Sequence, residues 1–210
     1  MSADAPSHDE TIEGLAAAFG GDESPGEVLR SRLVADAERD GLLDLSYRTM
    51  DSRFGSLLLV ATARGLVRVA FEREDHDAVL AGLAGTISPR ILRSPRRTDD
   101  IARQIDEYLA GRRRRFDITV DLQLVHGFRA EVISHLGHIP YGTTESYAEV
   151  ARSAGNPTAV RAVGSACSHN PVPLVLPCHR VVRSDGTTGR YLGGAEVKEA
   201  LLAMEAHRRT

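Results

Sequence analysis

The chain of 210 residues is poor in several features that define broad classes of protein. It has no apolar run of about 18 residues, so nothing in it predicts a membrane span. Its beginning is acidic and lacks the basic-then-apolar pattern of a signal peptide. Two cysteines, with no Cys-x-x-Cys or His-Glu-x-x-His pair, predict neither a disulfide scaffold nor a metal site. These absences predict a cytoplasmic protein that has no metal ion and no contact with a membrane.

The charge is distributed unevenly along the chain. The formal net charge is −3, but residues 1–45 hold eleven Asp/Glu against three Arg, a balance of −8. Residues 46–210 hold the other eighteen Asp/Glu and 23 Arg/Lys, a balance of +5. A mildly basic body permits contact with nucleic acid but does not establish it. Lys198 is the only lysine.

The sequence divides into three segments that differ in pattern. Residues 1–42 form an acidic N-terminal extension with helical periodicity over 9–19 and 25–40. Residues 43–124 form a small α+β unit, and residues 125–210 are mainly helical. The strand patterns of the middle segment cover 43–49, 56–61, 66–71 and 116–122, a turn covers 62–65, and helices cover 75–83 and 98–110.

Two short helices in the last segment form a helix-turn-helix pattern. Ser146 and Glu149 make a capping box, and Asn156 followed by Pro157 predicts the start of a second helix over 158–166. The second helix carries small residues around Arg161, namely Ala159, Ala162, Gly164 and Ala166. Small side chains are typical of close helix packing, and they also allow close approach to a DNA groove. The pattern leaves both interpretations open.

The run Pro-Cys-His-Arg-Val-Val at residues 177–182 is the main candidate for chemistry. Cysteine reacts as the thiolate, so His179 could take the proton of Cys178, and nearby positive charge favours ionisation. Adjacent side chains do not face each other on a helix or a strand, so this pair needs a turn or a bridging water. Glu205 lies near the end of a helix predicted over 193–207, where the helix dipole disfavours a carboxylate. Its position indicates a specific partner, such as His179, or else an ordinary surface residue.

The motifs of the last segment, taken in order, resemble those of the O6-alkylguanine-DNA alkyltransferase family, also called methylated-DNA–protein-cysteine methyltransferases. The match is nearly continuous over 128–207 and includes Ile139-Pro140-Tyr141-Gly142, Arg161-Ala162-Val163-Gly164, Asn170-Pro171-Val172-Pro173 and the cysteine run. Residues 47–122 resemble the family's N-terminal domain only in length and in the order of elements, and residues 1–42 match nothing in it. The resemblance implies an α/β (α+β) fold. Its parts are a small ribonuclease H-like N-terminal domain and a mainly helical C-terminal domain with a winged-helix-like helix-turn-helix.

The resemblance also implies an activity, which is direct DNA repair. The alkyl group of O6-alkylguanine, and of O4-alkylthymine, moves irreversibly to a cysteine, so that each molecule acts once. The partner is double-stranded DNA, bound by a monomer through the minor groove, with the damaged base flipped into a pocket. No cofactor is implied.

The resemblance carries over to individual residues. It implies that Cys178 is the nucleophile, that His179 is a base acting through a water, and that Glu205 orients His179. Asn170 braces the turn before the cysteine, Tyr147 donates a hydrogen bond to the leaving guanine, and Arg161 fills the gap left by the flipped base. The remaining implied roles are DNA contact for Ala159, Ala162 and Gly164, pocket lining for Val181, Tyr191, Leu192 and Gly193, and an ionic tie between the domains for Arg180.

Some positions depart from the family's pattern, and two other classes of function stay open. Leu192 stands where several members have a serine, and Ile133 replaces a common tryptophan. A non-catalytic DNA-binding module would leave Cys178 unmodified after incubation with methylated DNA. A cysteine hydrolase or thiol redox sensor is the other alternative, and burst hydrolysis of an activated ester would favour the hydrolase.

Overall fold

The computed structural model describes residues 25–206 and divides the chain into two compact units, Met1–Leu43 and Asp44–Thr210. In the first unit, helix α1 covers Pro25–Arg39, which confirms the helix predicted over 25–40. The helix predicted over 9–19 lies outside the described residues. Because residues 44–210 form one compact unit, a domain boundary near residue 124 stays a prediction.

The second unit begins with a four-stranded sheet. Its strands are β1 (Leu45–Ser52), β2 (Gly55–Thr62), β3 (Gly65–Phe71) and β4 (Ile91–Arg93), in the order β3-β2-β1-β4. The pairs β1–β2 and β2–β3 are antiparallel, and β1–β4 is parallel. The central strand β2 is apolar along most of its length because both of its faces are covered. Leu57 and Leu59 point into the main core, and Leu58 and Val60 into a second, smaller one.

One helix covers each face of the sheet. Helix α2 (His76–Thr86) packs on the smaller core, and the Asp75 side chain accepts hydrogen bonds from its first amide groups. Helix α3 (Asp99–Leu109) packs on the main core, and the chain leaves it at Gly111, whose φ is +69°. A short 3₁₀ turn, Glu72–Glu74, follows β3. These positions confirm the helices predicted over 75–83 and 98–110.

The strand predicted over 116–122 is wrong. This segment is irregular and forms a single isolated bridge, between Leu66 and Val120. Two hydrogen bonds flank the bridge, from the Leu66 amide to the Thr119 carbonyl and from the Asp121 amide to the Leu66 carbonyl. Alternate side chains of the segment do pack on the main core. The alternating sequence pattern therefore reflects burial of one side of the segment and not a strand. The segment pairs with β3 at a single residue, so it forms no ladder and is not a strand.

The remaining elements are helical or very short. They are α4 (Phe128–Leu136), β5 (Glu145–Ser146), α5 (Tyr147–Ser153), α6 (Val160–Ser168), the 3₁₀ turn Cys178–Arg180, β6 (Val181–Val182) and α7 (Ala195–Ala206). The strands β5 and β6 pair in parallel. Buried residues of α4, α5, α6 and α7 join the main core, which therefore runs without interruption from the sheet to the helices. Among residues 25–206, no helix is both long and apolar enough to cross a membrane.

The turn between α5 and α6 differs in part from the prediction. The capping box is confirmed, because the Ser146 side chain accepts from the Glu149 amide and the Glu149 side chain accepts from the Ser146 amide. The second helix begins at Val160, however, and not at residue 158. Asn156 does not cap it, because Ala159 occupies the N-cap position; the Asn156 carbonyl instead accepts from the Ala159 amide in a separate turn before the helix.

Candidate active site

The loop before the cysteine is held in a tight turn by Asn170. This buried side chain accepts a hydrogen bond from the Val172 amide (3.0 Å) and donates one to the Leu176 carbonyl (2.7 Å). Leu174, between them, has a φ of +73°, a left-handed conformation that a leucine adopts only when its surroundings enforce it. The turn delivers Cys178 to the start of the 3₁₀ turn, where its amide donates to the Leu176 carbonyl.

The thiol of Cys178 is buried, with 2% of the residue exposed. Burial raises the pKa of Cys178 to about 11, against the opposing effects of a hydrogen bond with Asn170 and the positive charge of Lys198. At neutral pH the sulfur is therefore a protonated thiol. This outcome corrects the expectation that neighbouring positive charge would keep the thiol ionised, because desolvation outweighs it. Nucleophilic chemistry at this sulfur needs a base.

His179 and Glu205 form a buried pair next to the cysteine. The distance from His179 Nε2 to Glu205 Oε1 is 3.0 Å. Burial by itself would raise the pKa of Glu205, but hydrogen bonds from His179 and Arg180 hold it at about 2, so Glu205 is ionised. Burial lowers the pKa of His179, against the opposing effect of Glu205, so the imidazole is neutral.

The ionised carboxylate fixes which nitrogen of His179 carries the proton. A carboxylate can only accept hydrogen bonds, so Nε2 must be the protonated nitrogen and Nδ1 must hold the lone pair. Nδ1 is buried and forms no hydrogen bond with any atom of residues 25–206. The imidazole therefore presents an unengaged basic nitrogen beside the cysteine in sequence.

The resemblance implies that Arg180 ties the two halves of the unit together by ionic contacts, but its guanidinium makes different contacts. Its guanidinium donates to Glu205 through Nε (3.0 Å to Oε2) and Nη2 (2.9 Å to Oε1) and to the Ile139 carbonyl through Nη1 (2.6 Å). All these partners lie in the C-terminal half, so that prediction is wrong. The arginine instead satisfies the charge of Glu205, which a buried carboxylate requires.

Tyr108, on α3, is part of the site, although the sequence analysis did not name it as a site residue. Its hydroxyl donates to Glu205 Oε1 at 2.5 Å and lies 3.1 Å from His179 Nε2. These contacts join positions 71 and 97 residues apart, so no local pattern could reveal them. The available signal was a tyrosine on a buried helix face, where its hydroxyl needs a partner.

Tyr147 and Lys198 lie near each other, and each interacts electrostatically with Cys178. Tyr147 begins α5 and is half-buried; burial, reinforced by Cys167 and Cys178, raises the pKa of Tyr147 to about 12. Lys198 is buried, donates to the Val181 carbonyl at 2.5 Å and has its Nζ 5.9 Å from the centre of the Tyr147 ring. Sequence reasoning did not place Lys198 in the site.

Of the predicted pocket residues, Tyr191 lies beside His179. Tyr191 is 9% exposed, and its ring centre is 6.1 Å from that of His179 and 5.6 Å from that of Phe71. A Cβ atom on Gly193 would come within 2.9 Å of the Phe71 ring, so only glycine fits there. Leu192 is half-buried against the main core, and Val181 is fully buried.

Helix α6 presents an exposed face of small residues with one arginine. Arg161 and Ala162 are exposed, and Ala159 and Gly164 are half-buried. Ala166 and Cys167 lie on the opposite, buried face. The small residues therefore agree with both interpretations: Ala166 packs closely inside the protein, and Ala162 leaves an open surface that a DNA groove could approach.

Taken together, the fold and the site combine a buried Cys178, His179 and Glu205 with a helix-turn-helix whose second helix has an exposed face. A family model described as "6-O-methylguanine DNA methyltransferase, DNA binding domain" matches residues 127–207. A second, described as "6-O-methylguanine DNA methyltransferase, ribonuclease-like domain", matches residues 45–122.

Similar proteins and structures carry related names. The methylated-DNA–protein-cysteine methyltransferase of Mycolicibacterium paratuberculosis is 37% identical over 161 residues, which are 77% of this chain and 92% of that protein. The inducible enzyme of that name from Bacillus subtilis is 34% identical over 148 residues, covering 70% and 82%. The crystal structure of Mycobacterium tuberculosis O6-methylguanine methyltransferase superimposes with a TM-score of 0.68 at 33% identity, covering 79% and 95%. A structure of Mycobacterium tuberculosis OGT in complex with DNA gives a TM-score of 0.66 at 34% identity, covering 78% and 94%.

The chain belongs to the methylated-DNA–protein-cysteine methyltransferase family. The expected family and the mixed α/β architecture are thereby confirmed. The class of activity is alkyl transfer from DNA to a cysteine of the protein, which is a form of DNA repair in which each molecule acts once.

Proposed function

We propose that this protein repairs double-stranded DNA by moving an alkyl group from O6 of guanine, and from O4 of thymine, to Sγ of Cys178. The observation that carries the assignment is a buried thiol, whose pKa burial raises, followed by His179, whose Nε2 contacts Glu205 at 3.0 Å and whose Nδ1 is buried without a hydrogen bond to residues 25–206. A thiol in this state becomes nucleophilic only when a base takes its proton. His179 is that base, and Glu205 holds it in the required tautomer.

The transfer step balances as a displacement at the alkyl carbon. His179 Nδ1 takes the proton of Cys178 through one water, and the thiolate attacks the carbon attached to the base oxygen. The S–C bond forms as the C–O bond breaks, and the electron pair stays on the leaving base. Glu205 stabilises the imidazolium that results, and the thioether has no route back to the thiol.

Two further side chains stabilise charge during transfer. The raised pKa of Tyr147 keeps its hydroxyl protonated, so it can donate a hydrogen bond to the purine as negative charge develops there. Lys198 places an ammonium group near the sulfur, where its charge favours the thiolate against desolvation. Asn170 positions the thiol by bracing the turn before Cys178, and Arg180 positions Glu205 through its hydrogen bonds to the carboxylate.

The DNA-binding surface in this proposal is the exposed face of α6, which enters the minor groove. A base must leave the stack before its O6 can reach a buried sulfur, and flipping leaves a gap in the duplex. Arg161 is exposed and cationic, which suits it to occupy that gap. Small side chains at Ala159, Ala162 and Gly164 allow the backbone of the helix to approach the groove closely.

The other parts of the proposal follow from this arrangement. Val181, Tyr191, Leu192 and Gly193 line the base pocket. The domains divide into an extension over 1–42, an α/β domain over 43–124 and a DNA-binding and transfer domain over 125–210. The protein acts in the cytoplasm as a monomer.

The test is the intact mass of the protein after exposure to a duplex oligonucleotide containing O6-methylguanine. We expect a gain of one CH₂ at Cys178, at no more than one equivalent. Cys178→Ala should bind the same duplex with unchanged affinity and gain no mass. A duplex containing unmodified guanine is the matched control. Repeated turnover, or Cys178 left unmodified while the lesion is bound, would refute the proposal.

A further inference from the structure

We propose that Tyr108 is a positioning residue for His179, the proton acceptor of the reaction. Through Tyr108, the α/β half of the protein sets the orientation of the imidazole and its strength as a base. The inference rests on the proposed function, since it concerns the proton acceptor of that reaction. The observation that supports the inference is that the Tyr108 hydroxyl contacts both members of the His179–Glu205 pair.

The direction of each hydrogen bond follows from the charges. Glu205 is an acceptor only, so the Tyr108 hydroxyl must donate its proton to Oε1. The tyrosine oxygen then has lone pairs facing Nε2 of His179, at 3.1 Å. Nε2–H therefore has two acceptors, the carboxylate oxygen at 3.0 Å and the phenol oxygen. Both acceptors favour the imidazolium over the neutral ring and thus make Nδ1 a stronger base.

Tyr108 also fixes Glu205 Oε1 in place. Oε1 accepts from Tyr108, His179 and Nη2 of Arg180, whereas Oε2 accepts from Nε of Arg180 and from the Gly142 amide. Without the phenol, Oε1 loses the donor that comes from α3. The carboxylate can then turn towards Arg180 and leave Nε2 with a poorer hydrogen bond.

The position of the tyrosine ring does not depend on its hydroxyl. The ring is fully buried, with Phe116 at 5.0 Å and Tyr141 at 6.2 Å between ring centres. Helix α3 is anchored separately by Gln104, whose side chain both donates to and accepts from the backbone of Asp117. Tyr108→Phe should therefore remove the hydroxyl and keep the packing.

The experiment measures single-turnover transfer from an O6-methylguanine duplex across a range of pH. The proteins are the full chain, Tyr108→Phe, Glu205→Gln and the control Tyr47→Phe, whose ring packs on the smaller core. Transfer requires neutral His179, so the rate rises with pH along an acid limb. We expect Tyr108→Phe to lower the plateau about tenfold, because a weaker base removes the thiol proton more slowly. Its acid limb should move to lower pH, because the imidazolium has lost an acceptor.

The outcomes separate this inference from the proposed function. Tyr47→Phe should match the unmodified protein in rate and pH profile. If Tyr108→Phe also matches it, or is slowed equally at every pH without movement of the acid limb, the positioning role is refuted. If the unmodified protein itself transfers no methyl group, the proposed function fails instead. Duplex binding of Tyr108→Phe should stay at the level of the control, and thermal melting should show that the variant remains folded at the assay temperature, because it loses only one hydrogen bond to Glu205.

Discussion

Replacing Glu205 by glutamine should reveal how much of the stability of this protein depends on one buried carboxylate. Glu205 is 1% exposed, and its pKa falls from 4.5 to about 2 on folding. Each pKa unit corresponds to about 1.4 kcal/mol, so ionisation of this group favours the folded state by about 3 kcal/mol. Because the folded-state pKa is the lower one, the contribution is complete above about pH 5 and is lost as the pH falls towards 2.

Glu205→Gln removes this linkage and also leaves the Arg180 charge buried without its partner. Breaking one side of a buried ion pair costs about 3–5 kcal/mol, so we expect a loss of that size at neutral pH. The assay is urea denaturation at several pH values from 3 to 7 in both proteins. The difference in unfolding free energy between them should shrink as the pH falls, since other carboxylates contribute equally to each.

The control for this substitution is Glu199→Gln, on the same helix but exposed. It should change the unfolding free energy by less than about 0.5 kcal/mol. A glutamine variant of Glu205 as stable as the control at neutral pH would refute the reasoning. So would a difference between the Glu205 variant and the unmodified protein that does not change with pH.

Three other substitutions test separate parts of the site. Arg161→Ala should weaken duplex binding and lower the slope of log affinity against log salt by about 1, in a salt titration where the distant Arg90→Ala leaves the slope unchanged. Tyr147→Phe should slow methyl transfer by roughly 10²-fold with little change in duplex affinity, as measured by single-turnover kinetics; equal rates would exclude Tyr147 as a donor to the leaving base. Gly193→Ala should lower the melting temperature, because the new Cβ meets the Phe71 ring at 2.9 Å, whereas Gly186→Ala has open space and tests only the effect of a positive φ.

The strands and helices could be predicted where a residue pattern is compatible with only one kind of secondary structure. The apolar run over 56–61 predicted a strand, and β2 confirms it; the structure adds that its two faces enter two different cores. Alternation over 116–122 was ambiguous, because burial of one face produces the same pattern in a strand and in an extended segment that merely crosses an edge. Strand β4 has three residues, which are too few to generate a periodic pattern.

The sequence could predict those residues of the candidate site that lie in one continuous motif. Cys178 and His179 stand side by side in the sequence, and Glu205 was conspicuous because a helix C-terminus disfavours a carboxylate. Tyr108 reaches the site from α3, and Lys198 lies on α7 with Glu205; only the tertiary fold shows that both side chains are near the cysteine. The protonation state of the thiol was also beyond sequence reasoning, since it depends on how completely Cys178 is buried.

The protonated thiol suits a protein that can act only once. A thiolate exposed at neutral pH reacts with oxidants and electrophiles, and for a single-use protein each such reaction is a permanent loss. Burial raises the pKa of Cys178 to about 11, so the resting sulfur is unreactive. Under the proposed function, ionisation requires His179 Nδ1 to accept the proton, so the sulfur becomes reactive only as part of the transfer step.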